Sequence, residues 1–173
     1  MAHSAKIALS AFLIALGVAL SFYPGSIPAG PTKVLPYQHM INGIAGIILG
    51  PWYAILIAFS IGVLRFSFGV GTIFAFTGGI PGALVVGVTY HYIIKKDFVA
   101  LTEPIGTGMG ALLSALIVQP LLHIPASPPF LGLTAQWQIF LALFWFSSIP
   151  GAIMGFVIVL ALRRRGIIQR LQF

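Results

Sequence analysis

Cysteine is absent, and among the 173 residues only Asp97 and Glu103 are acidic. Without cysteine there is no disulfide framework, no thiolate metal site and no thiol nucleophile. One aspartate and one glutamate provide no pair of carboxylates near the histidines for acid–base work. His39 and His123 could share a metal, but two imidazoles without a carboxylate or thiolate make an incomplete site. No cofactor, metal or catalytic residue is therefore expected. Charged residues amount to 6%, against roughly a quarter in a soluble globular domain. What is present instead is apolar: 59% hydrophobic residues and a mean hydropathy of +1.07. These figures describe an integral membrane protein with the lipid bilayer as its solvent. The net charge of +7 does not argue for nucleic acid. Most of its cations sit beside apolar spans and form no groove for a phosphate backbone.

The length allows about six spans of roughly 20 residues with short connections, as a single domain over residues 1–173. The first span is expected from about Ala5 to Phe22; its Lys6 and the Ala19-Leu20-Ser21 step resemble a signal peptide, but it is read as a span. "YPGSIPAGPTKVLP" follows, too dense in proline for a helix. Span two covers about Tyr37–Leu49, and Gly50-Pro51 turns the chain into span three, to about Phe68. Span four ends at Lys95-Lys96, and Asp97 is placed to cap span five, which reaches about Leu122. A second proline-rich loop, "HIPASPPFLG", precedes span six, from Thr134 to the arginine-rich tail. Ile80-Pro81-Gly82-Ala83 recurs as Ile149-Pro150-Gly151-Ala152, which reads as two proline-bent helices with small packing faces.

Six spans sort the cations. Lys6, Lys95, Lys96, Arg163, Arg164, Arg165 and Arg170 fall on one side, Lys33 and Arg65 on the other. The positive-inside rule then puts both termini in the cytoplasm. Gln38, His39 and Asn42 start span two at the outer side, with Gln38 and Asn42 one turn apart. Gln119 and His123 end span five outside, facing them, and Trp137 opens span six. With Tyr37, Trp137 and Phe130 as aromatic walls, this predicts an outward-opening small-molecule pocket. Lys33 and Arg65 are candidates for an anionic group, although such cations also snorkel. Glu103, near the inner face, is expected to favour a helix N-terminus and to reach Lys95 or Lys96, away from the pocket. A Ser-His-acid arrangement lacks its acid outside, and no charged or carbonyl-lined filter marks a channel.

Ala8, Ala11, Ala15 and Ala19 form a methyl stripe on span one. Small residues at that spacing let helix backbones approach closely in lipid, either within the bundle or against another membrane subunit. Gly106, Gly110 and Ser114 make a comparable strip in span five.

The alanine stripe, proline-rich outer loop, six short spans and arginine-rich tail together resemble the substrate-binding S components of energy-coupling factor (ECF) vitamin transporters. "KVLPYQHMINGIAGIILGPWYA", "GVGTIFAFTGGIPGAL" and "EPIGTGMGALLSA" resemble the ThiW family in particular, over about residues 30–160. The resemblance implies a multi-pass cell-membrane protein that captures a vitamin precursor at the outer face and has no ATPase of its own. Its implied partners are a membrane T component and two ATP-binding cassette ATPases. The A-x-x-x-A motif that meets the T component maps onto Ala11 and Ala15, with Ala19 continuing it. The implied lid is "YPGSIPAGPTK". The implied ligand is the thiamine precursor 4-methyl-5-(2-hydroxyethyl)thiazole, a neutral ring that aromatic walls and a few hydrogen-bonding groups would suit. Thiamine or another small vitamin, and a stand-alone secondary transporter or channel, remain alternatives.

Overall fold

The computed structural model describes residues 3–22, 25–29 and 32–171. Part of the expected lid, Tyr23, Pro24, Gly30 and Pro31, lies outside the described residues. Helix α1 (His3–Ala19) leads to a short antiparallel hairpin, β1 (Ile27–Ala29) and β2 (Thr32–Val34), in register Ile27 to Val34. Then come α2 (Pro36–Ile48) and α3 (Pro51–Ser67), each with proline in its first turn, where the missing N–H costs nothing. Gly50 between them has φ 90°, a conformation that glycine adopts without strain. Helix α4 (Phe74–Val88) ends in a π turn, Thr89–Ile93. A 3-10 turn (Asp97–Thr102) opens the next rod, followed by α5 (Glu103–Leu113), a π turn (Ser114–Val118) and α6 (Gln119–Leu121). The long α7 (Gln136–Arg164) and short α8 (Ile167–Leu171) complete the chain.

Helix α2 is the central rod. Every residue from Gln38 to Ile48 is buried, as befits a helix enclosed on all sides. Two close packings surround it. Gly151 and Gly155 of α7 rest on the Pro36 and Met40 carbonyls of α2, and Gly106 and Gly110 of α5 rest on the Pro81 and Thr77 carbonyls of α4. Pro81 has no N–H, so the Thr77 carbonyl is released from its usual helix bond. The glycine strip of α5 is thus internal. The alanines at 8, 11, 15 and 19 are all exposed, because α1 turns Ser10, Leu13, Gly17 and Val18 inward instead.

Large apolar side chains also point outward on several helices, among them Phe12, Trp52, Phe59, Ile105, Leu116 and Ile153. Such a surface suits lipid contact. Two stretches, Asp97–Leu121 and Gln136–Arg164, are long and apolar enough to cross a membrane; His3–Ala19 and Pro51–Ser67 are shorter apolar helices.

Asp97 does not cap the fifth rod. Its carboxylate instead accepts from Arg163 Nε at 2.5 Å, while Arg163 Nη2 donates to the Tyr90 hydroxyl at 2.7 Å. Arg163 on α7 lies within reach of the 3-10 turn, so the stronger charge-assisted bond prevails. At the opposite end, Gln136 pins the proline-rich loop by accepting from Ser127 N and donating to Ser127 O. Gln136→Leu is expected to accelerate limited proteolysis within residues 122–135 several-fold; an unchanged time course would assign loop order to other contacts.

Candidate functional site

The first turns of α2 and α5 meet inside the bundle. His39 Nδ1 lies 2.7 Å from Glu103 Oε1, which also accepts from Asn42 Nδ2 at 2.9 Å and from the Thr107 hydroxyl at 3.0 Å. Asn42 Nδ2 donates a second bond to the Gly79 carbonyl at 3.0 Å. Above it, Gln38 Nε2 reaches Asn42 Oδ1 over a long 3.4 Å, and Arg65 Nη1 donates to Gln38 Oε1 at 3.1 Å. Two amides therefore link a guanidinium that is 4% exposed to a carboxylate that is 0% exposed. Burying either charge alone would cost several kcal/mol, and the polar chain offsets part of that cost for both.

The cluster is not fully satisfied. Glu103 Oε2 and Arg65 Nε are buried without a hydrogen-bond partner among the described residues. Beside the cluster lies a cavity of about 30 Å3, bordered by Lys33, Gln38, His39, Arg65, Phe74 and Phe144. Its other walls include Leu35, Gly78, Gly79, Leu143 and Ser147, which neither composition nor spacing marks in the sequence. A space of this size holds one or two waters, and a ring would need it to widen. Lys33, reaching to the Gly69 carbonyl at 3.3 Å, lies at its border.

Helix spacing does place Gln38 and Asn42 on one face, and both join the cluster with His39 and Arg65. The expectation for Glu103 is corrected. It sits in the first turn of α5 as predicted, but it bonds His39, Asn42 and Thr107 rather than Lys95 or Lys96. Residue counting along a straight span brings it beside Lys95 and Lys96, and the packing of α5 on α2 and α4 takes it elsewhere. The 3-10 turn Asp97–Thr102 takes up the start of that rod, and α2 is only 13 residues long, about 20 Å. The first turns of both helices consequently meet within the bundle. An internal carboxylate four residues before a threonine was the available signal, since intramembrane carboxylates are functional suspects by default.

Five other residues stand apart from this group. Gln119 Nε2 donates to the Pro125 carbonyl and to Gln136 Oε1, so it serves the loop rather than facing α2. His123 is exposed with φ 52°, turned outward where the chain leaves α6. Trp137 is 43% exposed, and Tyr37 packs half-buried against the apolar core around α2. Phe130 pairs with Leu133 in an isolated bridge of the loop. The aromatic walls that the cavity does have are Phe74 and Phe144, braced edge-on by Phe140.

The two Ile-Pro-Gly-Ala segments flank this site. A Cβ at Gly82 would collide with the Glu103 carboxylate, and one at Gly151 with the Pro36 carbonyl and His39 Cβ. Each glycine leaves room for one partner of the His39–Glu103 bond.

A sequence profile described as thiamine-precursor transporter protein (ThiW) matches residues 7–165, a stretch that includes every residue of the cluster. No curated protein and no solved structure matches the chain. With that profile spanning nearly its whole length, the chain belongs to the ThiW family of thiamine-precursor transporter proteins, which are transporters of the membrane.

Proposed function

We propose that this protein is the substrate-capturing S component of an ECF importer, with 4-methyl-5-(2-hydroxyethyl)thiazole as its ligand. It crosses the membrane six times with both termini in the cytoplasm, consistent with the uneven division of lysine and arginine and with the outward-facing apolar side chains. A T component and two ATP-binding cassette ATPases supply the energy, and the exposed stripe of Ala8, Ala11, Ala15 and Ala19 is the T component's docking face. The ligand lodges beside Gln38, His39, Asn42 and Arg65, between Phe74 and Phe144. Lifting the hairpin that carries Lys33 makes room for it.

The observation that carries this reading is the balance of the site: aromatic walls, amide and imidazole groups, and one buried cation linked to one buried carboxylate. A small neutral ring with a polar substituent suits it. Thiamine is the second reading, because a thiazolium cation would favour the carboxylate of Glu103. Arg65 and Lys33 beside it leave no net negative charge for that cation, so the neutral precursor is preferred.

Titration of the purified chain decides between them. The thiazole alcohol should bind more tightly than thiamine, and His39→Ala and Asn42→Ala should each weaken it by about tenfold or more. Wild-type affinity in both variants would put the ligand elsewhere. Uptake by the chain alone, in vesicles without ATPase subunits, would favour a stand-alone transporter.

A further inference from the structure

Glu103 lies behind the cavity and outside its walls, yet it organises the one side chain there that has a free acceptor. We infer that Glu103 is a positioning residue: it holds His39 with Nδ1–H turned inward, so that Nε2 faces the cavity as an acceptor and reads the hydroxyl group of the ligand. This rests on the reading above, that the ligand is a small neutral alcohol.

The direction of the hydrogen bonds can be followed from one end. A guanidinium only donates, so Gln38 turns Oε1 to Arg65 and Nε2 to Asn42. The Gly79 carbonyl only accepts, which independently fixes the Asn42 nitrogen as the atom beside it. That same nitrogen donates to Glu103 Oε1 at 2.9 Å, and as a carboxylate oxygen Oε1 can only accept. The 2.7 Å contact with His39 is then Nδ1–H donating to Oε1. An imidazole that carries its single ring proton on Nδ1 keeps the other nitrogen free as an acceptor. Its Nε2 carries a lone pair.

An inventory of the cavity shows why that lone pair matters. Lys33 and Arg65 are donors, Gln38 Oε1 is taken by Arg65, and Ser147 Oγ already accepts from the Leu35 amide at 2.7 Å. His39 Nε2 has no partner among the described residues and is not an enclosed orphan. The cavity is therefore rich in donors and holds one side-chain acceptor still without a donor. A ligand suited to it brings an acceptor, such as a ring nitrogen, toward the cations and a single O–H toward His39. Sites built around such a bond discriminate strongly against an analogue lacking the group.

The test compares 4-methyl-5-(2-hydroxyethyl)thiazole with 5-ethyl-4-methylthiazole, which lacks only the hydroxyl. Purified wild-type protein should prefer the alcohol by about tenfold or more. Glu103→Met should bring that ratio to within about threefold of unity, as should His39→Phe, which keeps a ring but removes the acceptor. Glu103→Gln should retain part of the preference, since its carbonyl can stay on Nδ1–H while its NH2 takes the place of Oε2, which has no hydrogen-bond partner among the described residues. Nitrogen NMR of imidazole-labelled protein, with His39 assigned by its loss in His39→Phe, should find the proton on Nδ1. That spectrum needs no ligand, and it carries the positioning claim with His39→Phe if Glu103→Met fails to fold.

Equal binding of both thiazoles, an undiminished preference in Glu103→Met, or a proton on Nε2 overturns the inference while leaving the transport reading intact. Binding of neither thiazole by wild-type protein overturns the proposed ligand and the hydroxyl reading together.

Discussion

Ala11→Trp is expected to reduce uptake by the complete transporter about a hundredfold, while the purified chain binds its ligand as before. In lipid, where apolar surface alone does not drive association, helices pair through close backbone contact at small residues. The exposed face of α1 offers four alanine methyls at spacings of three and four, with Ile7 and Phe12 exposed beside them. An indole there would hold a partner helix several Å away and forfeit most of the contact. The fold should tolerate it, because α1 packs inward through Leu13, Gly17 and Val18, with Gly17 lying against Ile41 and Ile61. Radiolabelled thiazole uptake in cells carrying the energy module, beside a binding titration of the purified variant, separates the two effects. Normal uptake would remove the docking assignment.

The second large effect is expected at Gly82. An added Cβ would fall on Glu103 Oε1 and lie 2.8 Å from the Thr107 hydroxyl. Glu103 has nowhere to withdraw, since its side chain is fully enclosed and tied to His39 and Asn42. Overpacking of this kind costs about 1–3 kcal/mol, and separating a buried carboxylate from its donors adds to it. Gly82→Ala should therefore lower the melting temperature in detergent and abolish measurable ligand binding. Gly43→Ala is the matched comparison on α2. Its Cβ would meet the Ala100 methyl at 3.5 Å, an ordinary contact, and alanine favours a helix over glycine by about 1 kcal/mol. Its melting temperature should stay level or rise. Equal losses in the two variants would show that the space at Gly82 is not reserved for Glu103.

Gly82 also illustrates how far local pattern reaches. The repeated Ile-Pro-Gly-Ala is visible in the sequence and predicts helix packing. That both copies border one hydrogen bond, between side chains 64 positions apart, has no trace in either segment. Gln38 and Asn42 were legible as neighbours because four residues make about one helical turn. Gln119 and His123 share that spacing, which predicts a shared face in the same way, yet Gln119 turns to Gln136 and the loop. Spacing specifies a face of a helix, and packing decides what the face meets.

The amino-acid sequence by itself determined the helical, lipid-facing character of the chain, its breaks at Gly50-Pro51 and the proline-rich loops, and the polar face of α2. Composition and near-neighbour spacing are local properties, and they suffice for those features. The tertiary structure alone decided that α2 is the enclosed rod, that the alanine stripe points outward while the glycine strip of α5 points in, and that Glu103 joins His39. Those outcomes depend on where along the bundle each helix begins and on which backbones can touch. Both are set by contacts between residues remote in sequence, where a short α2, a 3-10 turn before α5 and four glycines at helix crossings bring the first turns of two helices together.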